Sequence, residues 1–171
     1  RDRGNSLRRQ GWRIRAIVAL FTGLSTLTAS CSPAPAETSR AAMPGPAARW
    51  GEVTFQAIAP GIWLHSEYAD PPGVGPTRSN GLIVEAGDHS ILVDTAWNDA
   101  QTGSIVEWAE ASLHRPVAAA IVTHAHHDKM GGIAALRSAG IRTFANRLTN
   151  ADAPKRGLLP ADVSLDFDSG G

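Results

Sequence analysis

The chain has a single cysteine, Cys31, in its 171 residues, so no disulfide can form within it. A second lack is net charge, with sixteen Lys and Arg balancing sixteen Asp and Glu. The balance hides an asymmetry. The first 31 residues hold six arginines and one aspartate, and the remainder, with ten basic and fifteen acidic residues, stands at −5. Such a surface is no footprint for nucleic acid. The apolar stretch from Ala16 to Leu24 is shorter than the ~20 residues a spanning helix needs, and Ser and Thr dilute the residues after it. That argues against a permanent membrane anchor. No internal repeat is present.

The N-terminus reads as a leader. Arg8, Arg9, Arg13 and Arg15 supply a positive region, and Ala16 to Leu24 supplies an apolar one. Leu27-Thr28-Ala29-Ser30-Cys31 resembles a bacterial lipoprotein cleavage box, with its leucine displaced by one position so that Thr28 stands third before Cys31. Cys31 is therefore the expected lipidation site, and a lipidated or removed cysteine cannot be a metal-binding thiolate. The residues around Arg8-Arg9 fit twin-arginine export poorly. Residues 32–46, rich in Pro and Ala, read as a disordered tether. The first residue is Arg1 and the last segment, Val163 to Asp168, reads as the start of a strand. The expectation is a fragment: signal peptide 1–31, tether 32–46, and part of a domain over 47–171.

Three of the six histidines fall within four residues, in Thr123-His124-Ala125-His126-His127-Asp128-Lys129-Met130-Gly131-Gly132. In an extended backbone, positions i, i+2 and i+4 share a side, so His124, His126 and Asp128 face one space while Ala125 and His127 point away. Two imidazoles and a carboxylate are a natural start to a zinc site. On a helix, His-x-His would spread its rings by roughly 200°, which excludes a helical His-E-x-x-H reading. The alternative is a solvated histidine-rich loop.

The flanks favour a supported site. Pro116 to Thr123 is an apolar run ending in β-branched residues and reads as a strand buried on both faces. The histidines follow its C-terminal end, where open α/β sheets place ligands. Gly131-Gly132 suits a tight turn and close backbone approach, and Ile133 to Ala139 reads as a short helix stopped by Gly140. Upstream, Glu52 to Ile58 and Gly61 to Tyr68 predict one hairpin, and Gly81 to Ala86 and Ser90 to Asp94 a second. Asn98 or Asp99 is expected to cap a helix to about His114, with Ile105, Trp108, Ala109 and Ser112 along one side. His65, His89 and His114 fall in strand, turn and helix-end settings and read as structural. A strand-rich start followed by alternating elements fits half of a layered α/β sandwich.

Thr123 to Gly132 resembles the His-x-His-x-Asp motif of the metallo-β-lactamase superfamily. Ser79-Asn80-Gly81-Leu82-Ile83-Val84, Leu92-Val93-Asp94-Thr95-Ala96-Trp97 and Ala139 to Asn146 agree with it, and together they are most similar to class B enzymes of the New Delhi type. Lys129 stands where other branches carry a second-metal histidine. The resemblance implies an αββα sandwich, an α/β (α+β) fold of which this chain covers about the first half. It implies two Zn2+ per complete enzyme. One is held by His124, His126 and a further histidine, the other by Asp128 with a cysteine and a histidine. It implies hydrolysis of β-lactam antibiotics by a zinc-bound hydroxide, with Asp128 the catalytic residue orienting it. Location would be the periplasm, with an outer-membrane lipid anchor through Cys31.

Further expectations concern the surroundings. Asp70 to Pro76 would be a flap over the site, with Pro71 and Val74 where the New Delhi type has larger apolar residues. Trp97 would line the substrate pocket with Val74. By composition alone Trp97 is a core or rim residue. Asp94 ends a strand, where its carboxylate is either structural or a hydrogen-bonding support of the metal loop. Rival functions are hydrolysis of thioesters or lactones by the same superfamily, or an inactive zinc-binding fragment.

Overall fold

The computed structural model describes residue 45 and residues 47–166. The leader, most of the tether and Cys31 lie outside the described residues, as do Phe167 and Asp168. Among the described residues, eight strands form one sheet in sequence order. They are β1 (Ala48–Trp50), β2 (Val53–Ala59), β3 (Ile62–Ala69), β4 (Thr77–Ala86), β5 (His89–Val93), β6 (Val117–Val122), β7 (Arg142–Asn146) and β8 (Val163–Leu165). β1 to β5 pair antiparallel and β5 to β8 pair parallel. The two predicted hairpins are β2–β3 and β4–β5. β4 begins at Thr77, four residues earlier than the apolar pattern suggested, because its first half pairs with the polar end of β3.

The switch to parallel pairing requires crossovers, and helices supply them. α1 (Asp99–Leu113) joins β5 to β6. Its first turn is capped by Asn98, whose side chain accepts from Gln101 N, and it ends at His114 in the left-handed region. The buried side is Gln101, Thr102, Ile105, Trp108 and Ala109. Ser112 is exposed rather than buried, because Leu113 makes the last core contact of the helix in its place. Trp108 drives the packing: it stacks on Phe55 at 4.0 Å and meets Trp63 edge-on at 5.1 Å. α2 (His127–Met130) and α3 (Ile133–Ser138) follow β6. α4 (Arg147–Asp152) and a 3₁₀ turn (Ala153–Arg156) follow β7.

Register sorts the sheet into two unlike faces. Phe55, Ile83, Leu92 and Ala120 project toward α1 and α3 and are fully buried. Their neighbours in each strand project the other way. Leu64, Leu82, Val93 and Phe144 are only partly buried, and Ile121 is 42% exposed. β6 was expected to be covered on both faces. Among the described residues only the Val117, Ala120 and Val122 side is covered, since both helical crossovers pack on that side. No helix among the described residues is long and apolar enough to cross a membrane.

Candidate metal centre

β6 lies between β5 and β7 and delivers Thr123 to the C-terminal edge of the parallel part of the sheet. There the chain stops being extended. His126 has a strand-like backbone (φ −125°, ψ 155°) and stands at the N-cap of the single turn α2, which contains Asp128. The fully extended path expected from the spacing is thus corrected, because Lys129 N and Met130 N both bond back to His126 O. The convergence survives by another route. Ligand atoms of His124, His126 and Asp128 all lie within 4.8 Å of one another.

Packing below the loop explains why these side chains point out. Ala125 and Met130 sink into an apolar cluster with Val122, Ile133, Ala145 and Leu158, leaving His124 and His126 exposed above it. Thr95 clamps the far end: its N–H donates to Lys129 O and its hydroxyl accepts from Gly132 N. The glycine pair is needed for close approach and not for a turn, since Gly131 has φ −62° and Gly132 φ −106°. A Cβ on Gly131 would collide with Trp97 O, and one on Gly132 with Thr102 Oγ1.

The donor set fits zinc. His124 Nε2 and His126 Nδ1 are 3.1 Å apart. Two nitrogens at about 2.05 Å from a tetrahedral ion would be separated by about 3.3 Å. Asp128 is fixed from two sides. Ser79 Oγ lies 3.1 Å and Lys129 Nζ 3.2 Å from its Oδ2. Lys129 Nζ also donates to Ser79 Oγ and Asn80 O, tying the loop to β4. Ser79 and Lys129 stand in segments that carry the resemblance, but the sequence does not show that both contact Asp128. Their role depends on β4 passing under α2, which no local pattern encodes.

Asp94 supports the loop, at 5% exposure and with an uncommon φ of +64° for a residue with a side chain. Its Oδ1 accepts from Thr123 N at 2.8 Å. Trp97 lines a cleft of about 370 Å3 with Asp70, Pro71, Pro72, Asn98 and His127. Val74 does not line it. That side chain is 70% exposed at the tip of the turn closed by Val74 N to Pro71 O, so this loop reaches the cleft through its prolines. A second cleft of about 390 Å3 is lined by His124, Thr149, Asp152 and Lys155 among others. His65 is fully buried, with Nδ1 3.0 Å from Glu67 Oε2, and takes no part in the cluster. His89 faces Asp88, and His114 ends α1.

Among the described residues, two carboxylates away from the His124, His126 and Asp128 cluster have lowered pKa values. Burial opposes ionisation of Asp162, but the Thr143 hydroxyl and amide and the Arg137 guanidinium outweigh it. The Arg156 guanidinium, hydrogen-bonded to Asp152, lowers that carboxyl with help from Lys155. Both pairs brace the ends of β7 and α4.

Residues 74–143 match the family model of the metallo-β-lactamase superfamily. A metallo-β-lactamase type 2 of Bacteroides fragilis is 34% identical over 107 residues, covering 63% of this chain and 43% of that protein. The crystal structure of a metallo-β-lactamase from Erythrobacter litoralis, with β-mercaptoethanol in its active site, shares 54% identity at a TM-score of 0.71, covering 74% of this chain and 55% of that one. An "NDM_FIM-1 like" metallo-β-lactamase from the same organism, in a mono-zinc form, shares 50% identity at a TM-score of 0.61, covering 72% and 52%. Sequence, motif and fold together make this chain similar to members of the metallo-β-lactamase superfamily, its class B enzymes among them. It spans about half the length of the relatives it matches.

Proposed function

We propose that this chain carries part of the zinc centre of an enzyme that hydrolyses the β-lactam ring. The observation that carries the proposal is the convergence of His124, His126 and Asp128 within 4.8 Å on a braced loop. His124 and His126 would hold one zinc and Asp128 a second, with the remaining ligands supplied from outside residues 1–171. Zinc bound there would supply Lewis acidity and make hydroxide available near neutral pH. The chain's own residues do the positioning. Asp128, fixed by Ser79 and Lys129, would orient the attacking oxygen as an acceptor of its proton. Trp97, Pro71 and Pro72 would present an apolar wall that shields the reacting ring from water.

The domain organisation belongs to the same proposal. Residues 1–31 would be a lipoprotein-type signal peptide modified at Cys31, residues 32–46 a tether, and residues 47–171 the first half of a metallo-β-lactamase domain. The protein would then work in the periplasm, held by lipid to the outer membrane.

The test is turnover by the full-length protein. With zinc present it should hydrolyse nitrocefin and leave acyl-homoserine lactones and glutathione thioesters untouched. Asp128→Asn should lower kcat by about 100-fold or more, in the range expected when a catalytic proton acceptor is removed. Turnover of a lactone or thioester without nitrocefin hydrolysis would replace the proposal by the rival chemistry.

A further inference from the structure

Three polar atoms crowd the hydroxyl of Thr123, which has one proton to give. Thr123 Oγ1 is 2.9 and 3.0 Å from the two Asp94 carboxylate oxygens and 2.9 Å from His124 Nδ1. A carboxylate only accepts, so the hydroxyl proton is committed to Asp94. The Thr123 oxygen has lone pairs alone to offer His124. Their contact is then a hydrogen bond only when Nδ1 carries the ring proton. In a neutral imidazole this leaves Nε2 bare. Nε2 is the atom that faces His126 Nδ1 across the 3.1 Å gap suited to two nitrogens on one metal.

We propose that Thr123 is a positioning residue that locks His124 in the Nδ1–H tautomer and so presents Nε2 to a metal. The relay runs Asp94, Thr123, His124, and each link is held by the fold. Asp94 N donates to Ile121 O at 2.8 Å, which sets the end of β5 beside the end of β6. The left-handed backbone of Asp94 then turns its carboxylate onto Thr123, where it takes both the amide and the hydroxyl. Without the relay, His124 would divide between two tautomers, one of them with a proton where the metal must sit. Fixing the tautomer of a metal-ligating histidine through its other nitrogen is a general means of raising metal affinity. Here the fixing group is a hydroxyl whose direction is dictated by a buried carboxylate.

The inference rests on the reading of His124 as a zinc ligand, and one experiment separates the two. In the metal-free, full-length protein, ring 15N shifts of His124 should show Nδ1 protonated and Nε2 bare. Thr123→Ser, which keeps the hydroxyl, should retain that pattern and the wild-type zinc affinity in chelator competition. Thr123→Val, similar in shape but without the hydroxyl, should lose the tautomer preference and bind zinc about 10–100-fold more weakly. A wild-type His124 protonated at Nε2 would overturn the inference, and that measurement needs no variant to fold. So would a folded Thr123→Val with zinc affinity within about threefold of wild type, well short of that range. A His124→Ala protein with wild-type zinc affinity would instead defeat the metal-ligand reading and leave the tautomer assignment standing.

Discussion

The two faces of the sheet are made from the same strands, residue by alternate residue, yet they end in different states. On one face Phe55, Ile83, Leu92 and Ala120 are sealed by helices that the chain itself provides between β5 and β7. On the other, Leu64, Leu82, Val93, Ile121 and Phe144 form an apolar surface that no described residue seals. Arg142 lies 5.3 Å over the Phe144 ring on that face. The contrast shows that strand alternation here is apolar on both sides, as a sheet in the middle of a sandwich needs, whereas a solvated face would be polar. The cluster of His124, His126 and Asp128 follows the C-terminal end of β6.

The comparison can be broken most heavily by isolating the piece. Residues 47–171 expressed alone should be insoluble or molten and should show no nitrocefin hydrolysis with added zinc. The missing cover is expected to cost as much as the ~5–15 kcal/mol that stabilises a typical domain. A cooperative melt of that piece would mean that the open face needs no partner.

Single substitutions sharpen the same contrast. Phe55→Ala removes the ring stacked on Trp108 and should cost about 3–5 kcal/mol in a denaturant melt of the full-length protein. Ile121→Ala should cost about 2–5 kcal/mol there if its face is covered, and less than about 0.5 kcal/mol if the face is solvated. Equal, small effects at both positions would erase the distinction between the faces.

A smaller effect lies at the corner held by Asp162. Its folded pKa is lowered, so the stability it adds is present above the unfolded value near 4 and is lost as pH falls through the lowered folded value. Asp162→Asn should therefore destabilise at pH 7. The gap between variant and wild type should close below about pH 4. With the carboxylate partly exposed, about 1 kcal/mol is the scale to expect. A gap that widens on acidification would contradict the assigned direction.

Much of this architecture was legible in the residues, and the failures have physical causes. Asn98 and His114 bounded α1 correctly because caps are local chemistry. The alternation of β2 to β5 and the apolar run of β6 gave their strands for the same reason. The spacing of His124, His126 and Asp128 announced a shared site, although the helical turn that assembles it was hidden. Met130 and Ala125 anchor that turn through contacts with α3, β7 and the residues after α4, remote in sequence. Ser79 escaped notice as a partner of Asp128 because it lies 49 residues away. Val74 was placed in the pocket from its position in the loop, but the turn at Pro71 tips it into solvent. Gly131 and Gly132 signal close backbone approach in the sequence, but the atoms pressed against them, Trp97 O and Thr102 Oγ1, come from segments remote in sequence.

The most direct test of the central claim is the zinc content of the full-length protein after dialysis, read by elemental analysis for wild type, His126→Ala and Asp128→Asn. The account predicts two zinc ions in the wild type, loss of the first-site ion in His126→Ala, and retention of one ion in Asp128→Asn. Wild-type zinc content in His126→Ala would contradict it.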